Sequence, residues 1–336
     1  MNRDYVSFAL RRIVQALVVI LLAYVFTFLV ISVLPGDPVS NTLRNPQNGF
    51  SEDDIQRIVA YYGLDRPVYV QLWESLSRFL VGDLGVSLRS NLPVSRMISE
   101  VLPSTLILAS SALVIALVLA FVIALGTQYL PPRYGQGLVR ALPSLFLSVP
   151  NFVIGLLLIH WFAFQLGLFS VIDAEGPWAT FFAAIALGIP VSAQIAEVLI
   201  ANLDHETRQE YAAVARSRGL GQLRLFLRHL LKPSSLPVVT VIALTVGELL
   251  GGSLITETIF GRTGIGSLVQ RSVTTQDLPV LQAIVALAAV IFVVVNLLAD
   301  LIYPLLDPRV RLTRRRTTSA PSTPSPAEPR EQVSAA

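Results

Sequence analysis

The sequence predicts an all-α polytopic membrane protein with six transmembrane helices. Hydrophobic residues make up 53% of the 336-residue chain and charged residues 14%, whereas soluble proteins average about a quarter charged. A bilayer core of about 30 Å takes roughly 20 apolar residues of helix. Six stretches meet that length: about 10–33, 103–128, 138–165, 178–202, 236–259 and 280–306. Cysteine is absent, which excludes disulfides and cysteine metal sites.

The first apolar stretch is interpreted as a retained span. It follows Arg11 and Arg12 and runs from Ile13 to Val33. A secretory signal has an apolar region of only about 7–15 residues and a small-residue cleavage site. This run is longer and ends in the sequence LPGDP, so cleavage is not expected.

The basic residues predict the orientation of the chain. With the amino terminus in the cytoplasm, the internal segments 1–12, 129–141, 203–235 and 307–336 hold three, two, six and six Lys or Arg. The external segment 34–102 holds six, offset by eight acids, and 260–279 holds two. Positive residues favour the cytoplasmic side. Both termini and the segment 203–235 are therefore expected inside.

The long external segment is predicted to fold as a small helical cap between the first and second spans. Ser51 and the three acids after it begin an amphipathic helix that runs through Tyr62. Gly63 ends it, 67–80 suggests a second helix, and Gly82 to Gly85 predict a turn. The tail 313–336 is rich in Pro, Ser, Thr and Ala and is expected to be disordered. The chain thus divides into 1–102, a five-helix core 103–306 and the tail.

The segment 204–237 is the most unusual connection. Asp204 is a candidate helix cap. Apolar residues then recur at three- and four-residue intervals on both sides of the turn Gly219-Leu220-Gly221, which predicts two short amphipathic helices. Both glycines would allow a turn that other residues would strain. The repeating apolar residues are Tyr211, Val214, Ala215, Leu223, Phe226 and Leu230. The alternative is that its six basic residues merely hold a connector in the cytoplasm.

Catalytic and nucleotide-binding motifs are missing from the sequence. It has no phosphate-binding G-x-x-x-x-G-K-[ST] motif, so ATP binding by this chain is not expected. The glycines between Gly261 and Gly266 follow a span and lack the strand and helix of a dinucleotide site. The three histidines are far apart in sequence. No enzymatic activity, cofactor, metal site or nucleic-acid partner is predicted.

Glu197 and Glu248 are acidic residues inside predicted spans. Glu197 falls in the fourth span and Glu248 near the middle of the fifth. An ionised side chain there costs several kcal/mol unless it meets a polar cavity or partner. One interpretation is that both line a passage and meet a cationic solute. The other is that each bonds a neighbouring helix or partner subunit. Gly247, Gly251 and Gly252 would allow close helix approach or local unwinding beside Glu248.

Several motifs in fixed order resemble those of ABC importer permeases of the dipeptide/oligopeptide family. Tyr211, Ala215, Arg216, Gly219 and Leu220 match the family's ATPase-docking loop, in which Glu210 replaces an Asp and Ala213 replaces the glutamate of the broader pattern. LPGDP at 34–38, YGLDRP at 62–67, GDLG at 82–85 and LPSTL at 102–106 also match. Glu257, Phe260, Gly264 and Gly266 match the family's external turn. The resemblance covers roughly residues 5–312.

The resemblance implies a type I ABC importer permease fold in a bacterial plasma membrane. It implies that the chain forms half of a passage for peptides or similar solutes, with Glu248, Glu197 and Glu257 as candidate pathway residues. A second homologous permease, two ATPases carrying ATP and Mg²⁺, an external solute-binding protein and membrane lipid are the implied partners. The ATPases would act through Glu210, Tyr211, Ala215, Arg216, Gly219 and Leu220. An autonomous secondary transporter or channel is the alternative.

Overall fold

The computed structural model describes residues 3–33, 51–62 and 66–306. Those residues form helices and turns, and the one β-type pairing among them is an isolated bridge between Val86 and Pro93. Within these residues five helices are long and apolar enough to cross a membrane, and a bent pair of helices makes a sixth when it is counted as one span. The all-α, six-span fold is therefore confirmed. The predictions for LPGDP, for Gly63 and for the tail 313–336 lie outside the described residues.

The first span is followed by the predicted helical cap. α1 covers Arg3–Val33, α2 Glu52–Tyr62 and α3 Val68–Leu80. Gly82 and Gly85 have φ of 83° and 81°, so the predicted turn uses the left-handed region that glycine tolerates. The chain then forms a short hairpin whose arms meet at the bridge between Val86 and Pro93.

The core is built on the second and fourth spans. α4 covers Val94–Tyr129 and α7 covers Pro177–Thr207. α4 buries an alanine every fourth residue, and α7 places Gly188 against this stripe, where an added Cβ would lie 2.8 Å from the Ala112 carbonyl oxygen. Small residues let membrane helices approach closely and gain packing energy. The stripe consists of Ala112, Ala116, Ala120 and Ala124.

The start of α4 corrects the sequence interpretation. The second span was predicted to begin at about residue 103, within the motif LPSTL. α4 instead begins nine residues earlier at Val94, and Pro103 lies inside it. The part of α4 before Pro103 is amphipathic. Its residues Val94 and Ile98 are buried in a second small core against two later helices, α11 (Ile265–Thr274) and α12 (Leu278–Leu306). This packing holds the helix continuous.

The third span is also different from its prediction as a single helix over 138–165. α5 covers Gln136–Ser148 and α6 Asn151–Leu158, with a π-helical turn over Ile159–Gln165. The two halves are bent by 100°. Val149 is extended because the ring of Pro150 disfavours helical backbone before it. Hydropathy alone does not report such a break.

Side-chain contacts define two ends of the bundle. At one end the Tyr129 hydroxyl, on the last residue of α4, donates to the Gln222 carbonyl oxygen at 2.9 Å. At the other end the Thr105 hydroxyl donates to the Glu257 carboxylate at 2.6 Å. Glu257 belongs to α10, which covers Leu231–Phe260. The segment joining α7 to α10 therefore lies at the Tyr129 end, and the glycine-rich turn after α10 lies at the Thr105 end.

Candidate coupling surface

The α7–α10 connection contains two short helices. α8 covers Glu210–Ser217, and α9 covers Gln222–Leu225 and continues through a π-helical turn, Phe226–Leu230, into α10. Both helices were predicted. Asp204 does not cap a helix start, because α7 continues to Thr207. Its carboxylate accepts hydrogen bonds from Gln128 at 3.0 Å and from Arg140, and so joins α7 to α4 and α5.

The corner between α7 and α8 is fixed by Tyr211 and Arg216. The Tyr211 hydroxyl donates to the Glu206 carboxylate, and the Arg216 guanidinium donates to the Thr207 carbonyl oxygen at 2.9 Å. The latter contact satisfies a carbonyl left open at the end of α7. Burial and the neighbouring Glu206 raise the pKa of Tyr211. The phenol therefore stays protonated and keeps its donor role at neutral pH.

The turn after α8 depends on a single glycine. Gly219 has φ of 77°, and its amide donates to the Arg216 carbonyl oxygen at 2.9 Å. Gly221 has φ of −60°, which any residue adopts, so the expectation that both glycines are needed is wrong for Gly221. Leu220 lies between them and packs, partly buried, against the main core. The turn is thus anchored on the bundle.

The buried side of α8 differs from the expected apolar face. Ala212 is fully buried and Ala215 is partly buried against the core. Tyr211 is 40% exposed and Val214 is 49% exposed, although both were expected on the same face as Ala215. α8 therefore presents an apolar surface away from the protein.

α9 also exposes apolar side chains. Phe226 is fully buried, edge-on to Phe121 and Tyr129 at ring distances of 6.0 and 5.8 Å, and holds α9 against α4. Leu223 and Leu227 are exposed one helical turn apart, with Arg224 and Arg228 beside them. We call the set Tyr211, Val214, Leu223, Leu227, Arg224 and Arg228 the coupling face. Glu210, in the first turn of α8, is exposed at its edge.

The structure does not bring the three candidate pathway carboxylates together. Glu197 is exposed and lines a cavity of about 450 Å³ with Arg140, Asp204, His205 and Arg208, near the Tyr129 end. Glu248 is exposed at mid-helix and accepts a hydrogen bond from Gln194 at 2.8 Å. Glu257 is fully buried at the opposite end.

The glycines beside Glu248 serve close approach, not unwinding. α10 is continuous through all three. An added Cβ at Gly252 would lie 2.8 Å from Leu187 on α7, and one at Gly247 would lie 3.0 Å from Phe292 on α12. Gly251 has open space around it. α10 therefore packs tightly on both sides of Glu248 while the carboxylate itself stays accessible.

Two polar anchors at the Thr105 end were missed by sequence reasoning. Arg262 is buried and donates to the Ala174 carbonyl oxygen at 2.6 Å, to Thr180 at 2.7 Å and to Ser104 at 3.1 Å. Asp277 is buried and accepts from Ser87 and from the Leu88 amide at 3.0 Å. For Arg262 the available signal was a lone charge beside glycines after an apolar span. In the described part of the chain, no His, Cys, Asp and Glu cluster suits a metal ion.

Comparisons with known proteins agree with this architecture. Residues 116–312 match the family described as binding-protein-dependent transport system inner membrane component, and residues 5–109 match its N-terminal membrane component. The glutathione transport system permease protein GsiC of Salmonella paratyphi A is 30% identical over 308 residues, 91% of this chain and 99% of that protein. GsiC of Escherichia coli K12 is 29% identical over 305 residues, with the same two coverages.

A solved structure supports the fold independently. A structure of the MetNI methionine ABC transporter in inward-facing conformations aligns with a TM-score of 0.53 over 63% of this chain and 96% of that one, at 15% identity. The helical order, the connection between the fourth and fifth spans and the family match lead to one assignment. The chain belongs to the inner membrane permeases of binding-protein-dependent ABC importers, as a permease subunit of such an importer.

Proposed function

We propose that the coupling face is the site on which a separate ATPase docks, and that it and both chain termini lie in the cytoplasm. The observation that carries this proposal is the exposure of Tyr211, Val214, Leu223 and Leu227 in the α7–α10 connection. Exposed apolar patches bordered by charge are typical of protein interfaces. The arginines beside the patch match the orientation expected from the basic residues.

The contacts behind this face suit a mechanical role. Tyr211 and Arg216 fix α8 to the end of α7, and α9 runs directly into α10. Asp204 and Tyr129 connect the same region to α5 and α4. A displacement of α8 would therefore reach four membrane helices as a unit. Packed helices respond to such a load by shifting between discrete arrangements.

In this proposal ATP and Mg²⁺ bind the ATPases, and this chain carries no cofactor and has no nucleic-acid partner. A second homologous permease, two ATPase subunits and an external solute-binding protein complete the importer. The solute is a peptide or a similar small molecule, a class that includes the glutathione named for the relatives. Glu248 and Glu197 are exposed and remain in the proposed pathway. The burial of Glu257 and its three hydrogen bonds support a structural role instead.

Substitution within α8 tests the docking. Val214→Glu places a charge in the apolar patch and should reduce co-purification of the ATPases and ATP-dependent uptake by at least about tenfold, as loss of a central interface contact does. The matched control is Ala213→Glu, because Ala213 is exposed on the same helix and the broader family pattern has glutamate there. The control should bind normally. Equal ATPase binding by both variants, or solute flux through this chain without ATPases, would contradict the proposal.

A further inference from the structure

α3 is an amphipathic helix attached to the first span along one side. The Tyr24 hydroxyl of α1 donates to the Ser75 carbonyl oxygen at 3.0 Å, and the Tyr24 ring stacks on Phe79 at 4.4 Å. Tyr24 is itself buried by this contact. None of the residues of α3 is fully buried, so two further sides of the helix are left for other environments.

One of these sides is a stripe of apolar residues. Tyr69, Trp73 and Leu80 are each more than 70% exposed. At about 100° per residue in a helix, the three lie within about 40° of one another, and Phe79 lies about 100° from their centre. The stripe is therefore beside the surface that contacts α1, not part of it. No described residue covers it.

The opposite side of the helix is charged. Glu74 forms ion pairs with Arg66 and, at 3.9 Å, with Arg78. By the same helical geometry Arg78 lies about 180° from Tyr69. α3 thus has an apolar side, a charged side opposite to it, and a contact with α1 between them. This is the arrangement of a helix that lies in the plane of a membrane surface.

The position of the α1 contact sets the depth of α3. Tyr24 is nine residues before Val33, the last residue of α1. With a rise of about 1.5 Å per residue, the contact lies about 13 Å along the helix from that end. α1 exposes Leu22 and Phe26 at this level, and a span's exposed apolar side faces lipid. The stripe on α3 carries Tyr and Trp, the residues enriched at membrane interfaces.

We propose that α3 is a membrane-surface anchor, with Tyr69, Trp73 and Leu80 inserted among the lipid headgroups and upper acyl chains at the Thr105 end of the bundle. The charged side faces water. The hairpin that follows α3 is held by Asp277. The anchor therefore fixes the height of this hairpin above the lipid. The occupant of the stripe is the lipid interface and not the external solute-binding protein or the partner permease.

The chain has three tryptophans and no cysteine, which makes the test direct. In the full-length chain with Trp161→Phe and Trp178→Phe, Trp73 is the one remaining tryptophan. This chain is placed in nanodiscs made with phosphatidylcholine brominated near the headgroup end of the acyl chains, or with unbrominated lipid. Bromine should reduce Trp73 fluorescence by about twofold or more, as expected for an interfacial side chain. Acrylamide in the water should quench it only weakly.

The matched control adds Trp73→Phe and Glu74→Trp, which moves the fluorophore to the charged side. This tryptophan should show the reverse pattern, with strong acrylamide and weak bromine quenching. If the tryptophan variants do not fold, a bimane label on Tyr69→Cys in the otherwise native chain reports the same contrast against Glu74→Cys. The proposal is overturned if acrylamide, and not brominated lipid, quenches Trp73 or the label at residue 69. It is also overturned if neither agent quenches them. Loss of bromine quenching when the binding protein is added overturns it as well.

Discussion

The Glu257 carboxylate accepts a hydrogen bond from the Gly266 amide at 2.8 Å, which places the side chain of α10 directly on the start of α11. The Ser267 amide donates to the same oxygen at 3.3 Å and Thr105 to the other at 2.6 Å. The first amides of a helix have no partner within it, and they carry its positive dipole end. The glycines are needed for this approach, since an added Cβ at Gly266 would lie 2.2 Å from the Leu254 Cα.

Glu257→Ala is therefore expected to destabilise the fold. It leaves three donors without an acceptor, two of them buried and one half-buried. Unpaired groups of this kind cost about 3 kcal/mol in total even after partial rearrangement. The measurement is the midpoint of thermal unfolding in detergent, followed by the tryptophan signal. The variant should unfold at a clearly lower temperature and fall in folded yield.

Glu257→Gln serves as the control, because it keeps one acceptor oxygen and nearly the same volume. Its unfolding temperature should lie between those of the native chain and Glu257→Ala. If instead Glu257→Gln kept the native stability and changed only the affinity for solute, Glu257 would act in the pathway and not as a helix cap.

Gly219 and Gly221 form a matched pair for the turn of the coupling face. Both have open space where a Cβ would be added, so neither substitution causes a clash. Gly219→Val forces a β-branched residue into the left-handed region, which costs about 1–2 kcal/mol, whereas Gly221→Val does not. Uptake driven by the ATPases should fall severalfold or more in the first variant and stay near native in the second.

The membrane level of both proteins, measured by immunoblot, separates a coupling defect from loss of the protein. Equal uptake by the Gly219 and Gly221 variants would show that the shape of this turn does not matter for coupling.

The sequence was sufficient for the features set by composition and local pattern. The length of the apolar stretches predicted the six spans. The spacing of apolar residues predicted α8 and α9, because an amphipathic helix repeats apolar residues at intervals of three and four. The left-handed turn at Gly219 followed from residue type. These features depend on residues close together in the chain, so no tertiary information was needed.

The remaining features depend on contacts between distant residues. Asp204 is a good local cap, but its actual partners are Gln128 and Arg140 on other helices. The continuity of α4 through Pro103 is likewise decided by packing, whereas the 100° bend after Ser148 occurs at the extended residue before Pro150. From the sequence, Glu257 was matched to the family's external turn and was a candidate pathway residue. Its three donors come from segments that the sequence does not visibly connect.

Asp277 should give the stability of the Thr105 end a dependence on pH. Burial raises the pKa of its carboxyl, and the hydrogen bonds from Ser87 and the Leu88 amide offset part of that rise. The folded protein thus binds this proton more tightly than the unfolded chain. The protonated Asp277 side chain therefore adds to the free energy of unfolding. This contribution is largest below the ordinary pKa of about 4 and is lost as the pH rises through the folded-state pKa.

Asp277→Asn removes this titration. The unfolding temperature of the native chain, minus that of Asp277→Asn, should decrease as the pH is raised from about 4. Ser87→Ala should extend the decrease to higher pH, because the Ser87 hydroxyl stabilises the charged form. Differences that stay constant across the pH range would exclude a raised pKa at Asp277.

Glu248 provides the test of solute contact within the spans. Its carboxylate is exposed at mid-helix, and Gln194 donates to one oxygen only. We expect the accessible oxygen to meet the ammonium group of a passing peptide. Glu248→Gln should then reduce the uptake of peptides with a free amino terminus by about tenfold, relative to the same peptides with an acylated amino terminus. A loss of this size is typical when one partner of a charged contact is neutralised. Gln194 still finds a carbonyl acceptor in the variant, so folding should be preserved.

Glu197→Gln is the appropriate comparison for this last prediction, because it neutralises a second exposed carboxylate on the neighbouring helix. Glu197 lies in the cavity beside Arg140 and Arg208, whose positive charges already compensate it and disfavour an approaching ammonium group. Its effect on the ratio of free to acylated peptide uptake should therefore be smaller than that of Glu248→Gln. A ratio unchanged in both variants would mean that these carboxylates bond the partner permease or lipid headgroups, and that charge selection belongs to the external binding protein.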